Sequence, residues 1–176
     1  FSPISDRKIP VCDGIYIGGG FPEVKGKLLQ KNTQMLKLVK RSAEDNIPIY
    51  AECGGLMYLT KSIRYKTGKF KMVGLFDAET IMEQKLKLNY TRARSKANSF
   101  WLKPRNIQGH EFHYSKLDSI SKDSKFAYDL SIGIGIKDNK DGLMTYNTLA
   151  SYMHLNFEAP SVADDFVKSC ITNSRK

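Results

Sequence analysis

The sequence predicts a single α/β domain built around a parallel pair of strands, and three observations carry that reading. The stretch Ile47–Leu59, IPIYAECGGLMYL, passes from an apolar β-prone run through Glu52, Cys53 and a glycine pair into a helical pattern. Upstream, a β-prone run over Val11–Ile17 ends in Gly18-Gly19-Gly20, and the span Gly26–Glu44 then places apolar residues at helical spacing. The order strand, loop, helix, strand implies parallel neighbours whose following loops meet at one edge of the sheet, where ligand sites of open α/β sheets lie.

With 176 residues, 41% of them hydrophobic, the chain can bury one core and does not require two. Lys and Arg total 28 against 18 Asp and Glu, a formal charge of +10. Such an excess admits a nucleic-acid partner or an acidic substrate, but the basic residues are thinly spread with no run of five or more, as in a generally lysine-rich protein. The cysteines Cys12, Cys53 and Cys170 are odd in number, widely spaced and without a CxxC, which argues against a disulfide framework or a zinc ribbon. No apolar stretch approaches a bilayer's thickness and Phe1–Pro10 lacks the order of a signal peptide, so a cytosolic place with reduced thiols is expected. A chain that opens FSPISD without Met is expected to be a piece of something longer.

Taken in order, Val11–Ile17 supplies the first strand, with Cys12 on it. The glycines after it allow backbone conformations closed to other residues and can turn N–H groups toward a negative ligand or an oxyanion; a plain strand-to-helix loop is the simpler alternative. The GxxxxGK[ST] spacing of a phosphate loop is missing. Leu28, Leu29, Met35, Leu36, Val39 and Ala43 mark one amphipathic helix, and Ile47–Ala51 the second strand. Cys53 follows at the bend, before a helix beginning near Leu56. A helix start favours thiolate over thiol, so a reactive cysteine is expected; the alternative of a small buried hydrophobe is opposed by the flanking Glu52 and glycines.

Further strands are expected at Met72–Phe76, Leu86–Arg92, Ile107–Leu117 and, as short pieces, within Lys125–Ile136. Asp138–Gly142 reads as a turn and Leu149–His154 as the last strand. Pro160–Ile171 closes the chain as a helix with Cys170 on its apolar face. His110 and His113, three apart on a strand, point to opposite faces and are not expected to share a metal; no metal site is expected.

A cysteine nucleophile needs a base, and three histidines are available. His154 ends a strand just before a loop, whereas His110 and His113 lie inside a longer one. A third group normally orients such an imidazole; Glu158 and Asn156 are nearby candidates and neither is decisive.

Four motifs then occur in a telling order: GGGFPE at Gly18–Glu23, YAECGGLMYL at Tyr50–Leu59, GHEFHYS at Gly109–Ser115 and SYMHLNF at Ser151–Phe157. Over essentially its whole length the chain resembles the C-terminal glutamine amidotransferase domain of the cobyrinate a,c-diamide synthase family. The AECGGLMYL form is more similar to the diamide synthases than to the related cobyric acid synthases. The resemblance implies a class I glutamine amidotransferase-like, flavodoxin-like fold with a mostly parallel central sheet flanked by helices. It implies that Cys53 attacks the glutamine side-chain amide through a glutamyl thioester, with His154 as base and acid. The N–H groups of Gly18, Gly19, Gly20 and Gly54 would form the oxyanion site. The wider superfamily has a glutamate two residues after the histidine; Asn156 stands there, so the resemblance implies a Cys-His dyad, with help from Glu158 or Glu52 left open. The ammonia would pass to an ATP-binding domain, using ATP and Mg²⁺, that amidates a cobalt or nickel tetrapyrrole in cobalamin-type cofactor biosynthesis. No cofactor is expected in this chain itself, residues 1–176. Two other readings remain in view: a cysteine hydrolase or stress-protein relative of the same fold, and a basic non-enzymatic binding module.

Overall fold

The computed structural model describes residues 1–66, 68–96, 101–157 and 160–173. Strand β1 (Ile15–Ile17) leads through the glycine loop to α1 (Gly26–Lys31) and α2 (Thr33–Glu44), and β2 (Ile49–Glu52) runs straight into α3 (Gly54–Leu59). There follow β3 (Thr60–Tyr65), β4 (Gly68–Lys71), β5 (Phe76–Ser95), β6 (Asn106–Asp118), β7 (Lys125–Ile132), β8 (Lys140–Thr145), β9 (Thr148–Ser151), β10 (His154–Leu155) and α4 (Pro160–Asn173). The strands form one mixed sheet in the order β1-β2-β9-β8-β7-β5-β3-β4, with β6 paired to both β5 and β10.

The parallel pair expected at the start of the chain is present, Ile15 to Ile17 aligning with Ile49 to Ala51. A third parallel neighbour, β9, continues it with Glu52 opposite Ser151. The carboxyl ends of β1, β2 and β9 therefore share one edge, which brings the glycine loop, Cys53 and the segment before His154 together. Strands β3 and β5 are also parallel. The remaining pairs are antiparallel, among them β8 with β9, whose tight turn at Tyr146 is too short for a crossover.

Alternation along β2 divides the core. Ile49 and Ala51 join Met35, Val39 and Leu56 on one face of the sheet, while Tyr50 joins Trp101, Leu149 and Val162 on the other. Met35, Leu36 and Val39 of α2 are buried, each contributing about 1.5–3 kcal/mol of apolar burial.

Several expected boundaries move, each for a local reason. The single helix expected over Gly26–Glu44 is broken at Asn32, whose side chain accepts from the Met35 N–H and donates to the carbonyls of Pro3 and Asp6. Met72–Phe76 is not a strand: the N–H groups of Met72, Val73 and Leu75 bond to Lys61, Tyr58 and Leu59 carbonyls, and β5 begins only at Phe76. β1 is shorter than Val11–Ile17, so Cys12 precedes it and Val11 is fully exposed. The turn expected over Asp138–Gly142 is confined to Asp138 and Asn139, both left-handed, and Asp141 and Gly142 belong to β8. The last strand is split by Tyr152 and Met153. No described helix is long and apolar enough to cross a membrane.

Candidate active site

Cys53 sits at the bend with φ 47° and ψ −99°, a region a non-glycine residue occupies only under strain. Its N–H donates to the Ser151 carbonyl at 2.7 Å and its carbonyl accepts from the Met57 N–H at 3.0 Å, so both neighbours pin the bend. Gly54 is required by close approach: a Cβ there would lie 2.5 Å from the Gly20 carbonyl oxygen. A Cβ on Gly19 would lie 2.8 Å from Cε1 of His154. The glycine loop is thus packed onto the Cys53 bend and the imidazole together. The N–H groups of Gly19, Gly20 and Gly54 have no main-chain acceptor among the described residues.

The His154 imidazole lines the same cavity as Cys53, and its Nδ1 is 3.3 Å from Oε2 of Glu52, which leaves Nε2 on the side away from Glu52. Cys53 Sγ lies 3.4 Å from the Phe112 carbonyl oxygen. Glu52 is buried and its carboxylate is fully engaged: Tyr16 Oη donates to Oε2 at 2.7 Å, and Tyr50 Oη and the Leu155 N–H donate to Oε1 at 2.6 and 2.9 Å. The rings of Tyr16, Tyr50 and Phe157 pack against one another around it, and a dry surround strengthens each of these bonds.

The charges follow. His154 is pushed up to about 9, first by the Cys53 side chain beside it and then by the Glu52 carboxylate, against the opposing effect of burial. Burial alone would raise the Glu52 carboxyl, but bonds from His154, Tyr50, Tyr16 and Leu155 outweigh it and hold it below the ordinary carboxylate range.

A cavity of about 260 Å³ opens in front of Cys53, walled by Gly19, Gly20, Met57, Phe112 and His154. Of the residues expected to form the site, Cys53, His154, Gly19, Gly20 and Gly54 are brought together. Gly18 stands back from the cavity against the Tyr16 ring. His110 stacks on His154 with ring centres 4.8 Å apart, and His113 on Tyr152 at 3.7 Å, with its Nδ1 2.8 Å from the Ser115 carbonyl. Glu158 lies outside the described residues, and the acid that faces His154 is Glu52. The flanking acid and glycines, expected to be poor core neighbours of a cysteine, are themselves buried. Tyr16 and Tyr50 escaped notice, although once β1 and β2 are paired in register the two tyrosines fall side by side.

This fold, with a cysteine elbow facing a histidine at the edge of three parallel strands, is that of the class I glutamine amidotransferases. A solved glutamine amidotransferase superposes with TM-score 0.62 at 14% identity, covering 90% of this chain and 79% of that one. PurLQS from Thermotoga maritima gives 0.64 at 13% identity, covering 98% and 84%. Residues 1–162 match the CobB/CobQ-like glutamine amidotransferase domain, and the chain belongs to that family. It is 42% identical over 177 residues to a cobyrinate a,c-diamide synthase of Methanosphaera stadtmanae, covering 98% of this chain and 38% of the relative. It is 41% identical over 176 residues to that of Leptospira interrogans serovar Lai, covering 97% and 39%. The chain thus spans about two fifths of the length of these relatives.

Proposed function

We propose that the chain is the ammonia-producing part of an ATP-dependent amidoligase that amidates the a and c side-chain carboxylates of cobyrinic acid or a related cobalt or nickel tetrapyrrole. The observation that carries the chemistry is that Cys53 and His154 share one cavity behind a glycine wall, with Glu52 on the far side of the imidazole. The names and lengths of the relatives support the larger reaction.

The Cys53 sulfur attacks the side-chain amide carbon of glutamine, forming the S–C bond while the carbonyl π pair moves onto oxygen. The N–H groups of Gly19, Gly20 and Gly54 receive that oxygen. His154 gives its Nε2 proton to the amide nitrogen, the C–N bond breaks and ammonia leaves. A water then loses a proton to His154 and attacks the thioester, the C–S bond breaks, and glutamate leaves with Cys53 and His154 as they began. Glutamine and water become glutamate and ammonia. Glu52 keeps Nδ1 protonated and the ring aimed.

ATP and Mg²⁺ belong, in this reading, to a further domain that activates the carboxylates, with the tetrapyrrole at the junction. The residues present do not suit a nucleotide: the glycine loop lacks the GxxxxGK[ST] spacing and its lysine, and Gly19 is packed on His154. A cytosolic setting would keep Cys53 reduced.

The test is covalent labelling by the chloroketone analogue of glutamine. The wild-type chain should be labelled at Cys53 and Cys53→Ala not at all. Labelling that persists in the variant, or a Cys53 that reacts with peroxide and ignores the glutamine analogue, would overturn the assignment, the second result favouring a hydrolase or stress-protein relative.

A further inference from the structure

One wall of the cavity is left unused by amide hydrolysis. Glu23 lines it beside Cys53, Met57, Met82, Phe112 and His154, yet only 8% of the residue is exposed. Its position comes from a tight turn directly after the glycine loop, in which the Val24, Lys25 and Gly26 N–H groups donate to the carbonyls of Phe21, Pro22 and Glu23 at 3.2, 3.2 and 3.4 Å. Because Gly19 and Gly20 of that loop pack on His154 and Gly54, the turn and the nucleophile are held in one unit.

The other buried carboxylates around the site are satisfied. Glu52 has its tyrosines and His154, Glu111 accepts from Asn89 and from the N–H groups of Ile134 and Gly135, and Asp141 accepts from those of Gly142, Tyr152 and Met153. Among the described residues no side chain is found bonded or ion-paired to the Glu23 carboxylate, and burial pushes it up. A carboxylate largely withdrawn from bulk water on a cavity wall, without a protein cation beside it, is a ready acceptor for a cationic group of a ligand.

We infer that Glu23 receives the α-ammonium group of glutamine and so selects the free amino acid over a simple amide. The inference rests on the glutaminase reading and names the part of the substrate that Cys53 does not touch. Glutamine in its extended form carries its ammonium about 5 Å from the amide carbon, across four bonds of about 1.5 Å each. A cavity of about 260 Å³ accommodates that span. The methylenes between them need an apolar wall, and Met57, Met82 and Phe112 supply it. An ammonium on a buried carboxylate is a charge-assisted bond, and it is absent for amides without the α-amino group.

The experiment measures the rate at which Cys53 is alkylated in the wild-type chain, Glu23→Gln and Glu23→Asp by three probes: the glutamine chloroketone, its N-acetyl derivative, and iodoacetamide. Iodoacetamide has no α groups and reports the thiolate itself. In Glu23→Gln the ratio of chloroketone to iodoacetamide rates should fall about tenfold or more. Glu23→Asp, which keeps the charge, should recover part of it. The N-acetyl derivative should be slow with wild type and lose nothing further in Glu23→Gln. An unchanged ratio, or an equal loss for the acetylated probe, would overturn the role of Glu23 while leaving glutaminase chemistry standing. A wild-type chain that ignores the chloroketone but reacts with iodoacetamide would instead overturn both.

Discussion

Glu52 and Cys53 are consecutive, yet the first turns its carboxylate to Tyr16, Tyr50 and the His154 ring and the second lines the cavity that His154 also lines, so one bend supplies both neighbours of the imidazole. In Glu52→Gln the side-chain amide would have to meet hydroxyl and N–H donors with an NH₂ group, losing charge and acceptors together. The cost should be about 3 kcal/mol, typical of removing one partner of a buried pair, and the alkylation rate of Cys53 should fall about tenfold or more as the ring loses its orientation. The pH dependence separates this from general damage. A histidine raised from 6.5 to about 9 in the folded state stabilises fully below about pH 6.5, and that contribution is lost as pH rises through about 9. The stability gap between wild type and Glu52→Gln, read from urea denaturation midpoints, should therefore narrow between those values. A gap that stays constant would show that Glu52 does not act through His154. Part of this arrangement was legible in the sequence. Cys53 announced itself by the glycines after it, His154 by its place at a strand end, and Glu52 stood beside Glu158 as a possible acid, but what selects Glu52 is a contact between β2 and β10 that no local pattern records.

At the scale of elements, the site depends on an interruption. β9 stops at Ser151, and Tyr152 and Met153 turn the chain so that His154 begins a new strand against β6. Asp141, wholly buried in β8, holds that turn by accepting from the Tyr152 and Met153 N–H groups at 3.1 and 2.9 Å. Asp141→Ala would strand three buried donors, the N–H groups of Gly142, Tyr152 and Met153, at about 3 kcal/mol or more, and should slow Cys53 alkylation because the histidine is released with the turn. Burial pushes the Asp141 carboxyl up to about 7 in spite of its main-chain bonds. The folded state therefore keeps a proton the unfolded chain gives up, and this group's contribution to stability declines as pH rises from 3.8 to about 7. The substitution should flatten wild-type stability over that interval; an unchanged slope would refute the assignment. The parallel pair and the elbow were readable because each strand is an apolar run closed by glycine or by a helical period. The breaks at Asn32, Met72 and Tyr152 were not, since each is set by a distant partner: the Pro3 and Asp6 carbonyls, the end of α3, and Asp141.

Over the whole molecule, the formal charge of +10 is the feature that still favours a basic binding module, and its distribution decides how far. A groove of about 800 Å³ between α2 and the β3–β4 edge is lined by Lys37, Lys40, Lys61, Lys69 and Lys71, and shares no lining residue with the Cys53 cavity. Lys61 pairs with Asp77, and Lys69 with Glu79, which Arg64 also contacts. Lys37, Lys40 and Lys71 have no ion pair among the described residues and are left to meet an anion. Each phosphate neutralised on duplex DNA contributes about −0.9 to the slope of log affinity against log salt, so three lysines support a slope no steeper than about −3. Titration of a labelled duplex between low and physiological salt should give weak binding with such a shallow slope. A slope well beyond that value would require cations gathered from several faces into one footprint and would return the protein to the nucleic-acid class, whereas a shallow one leaves the lysines as a solvated surface around a small-molecule site.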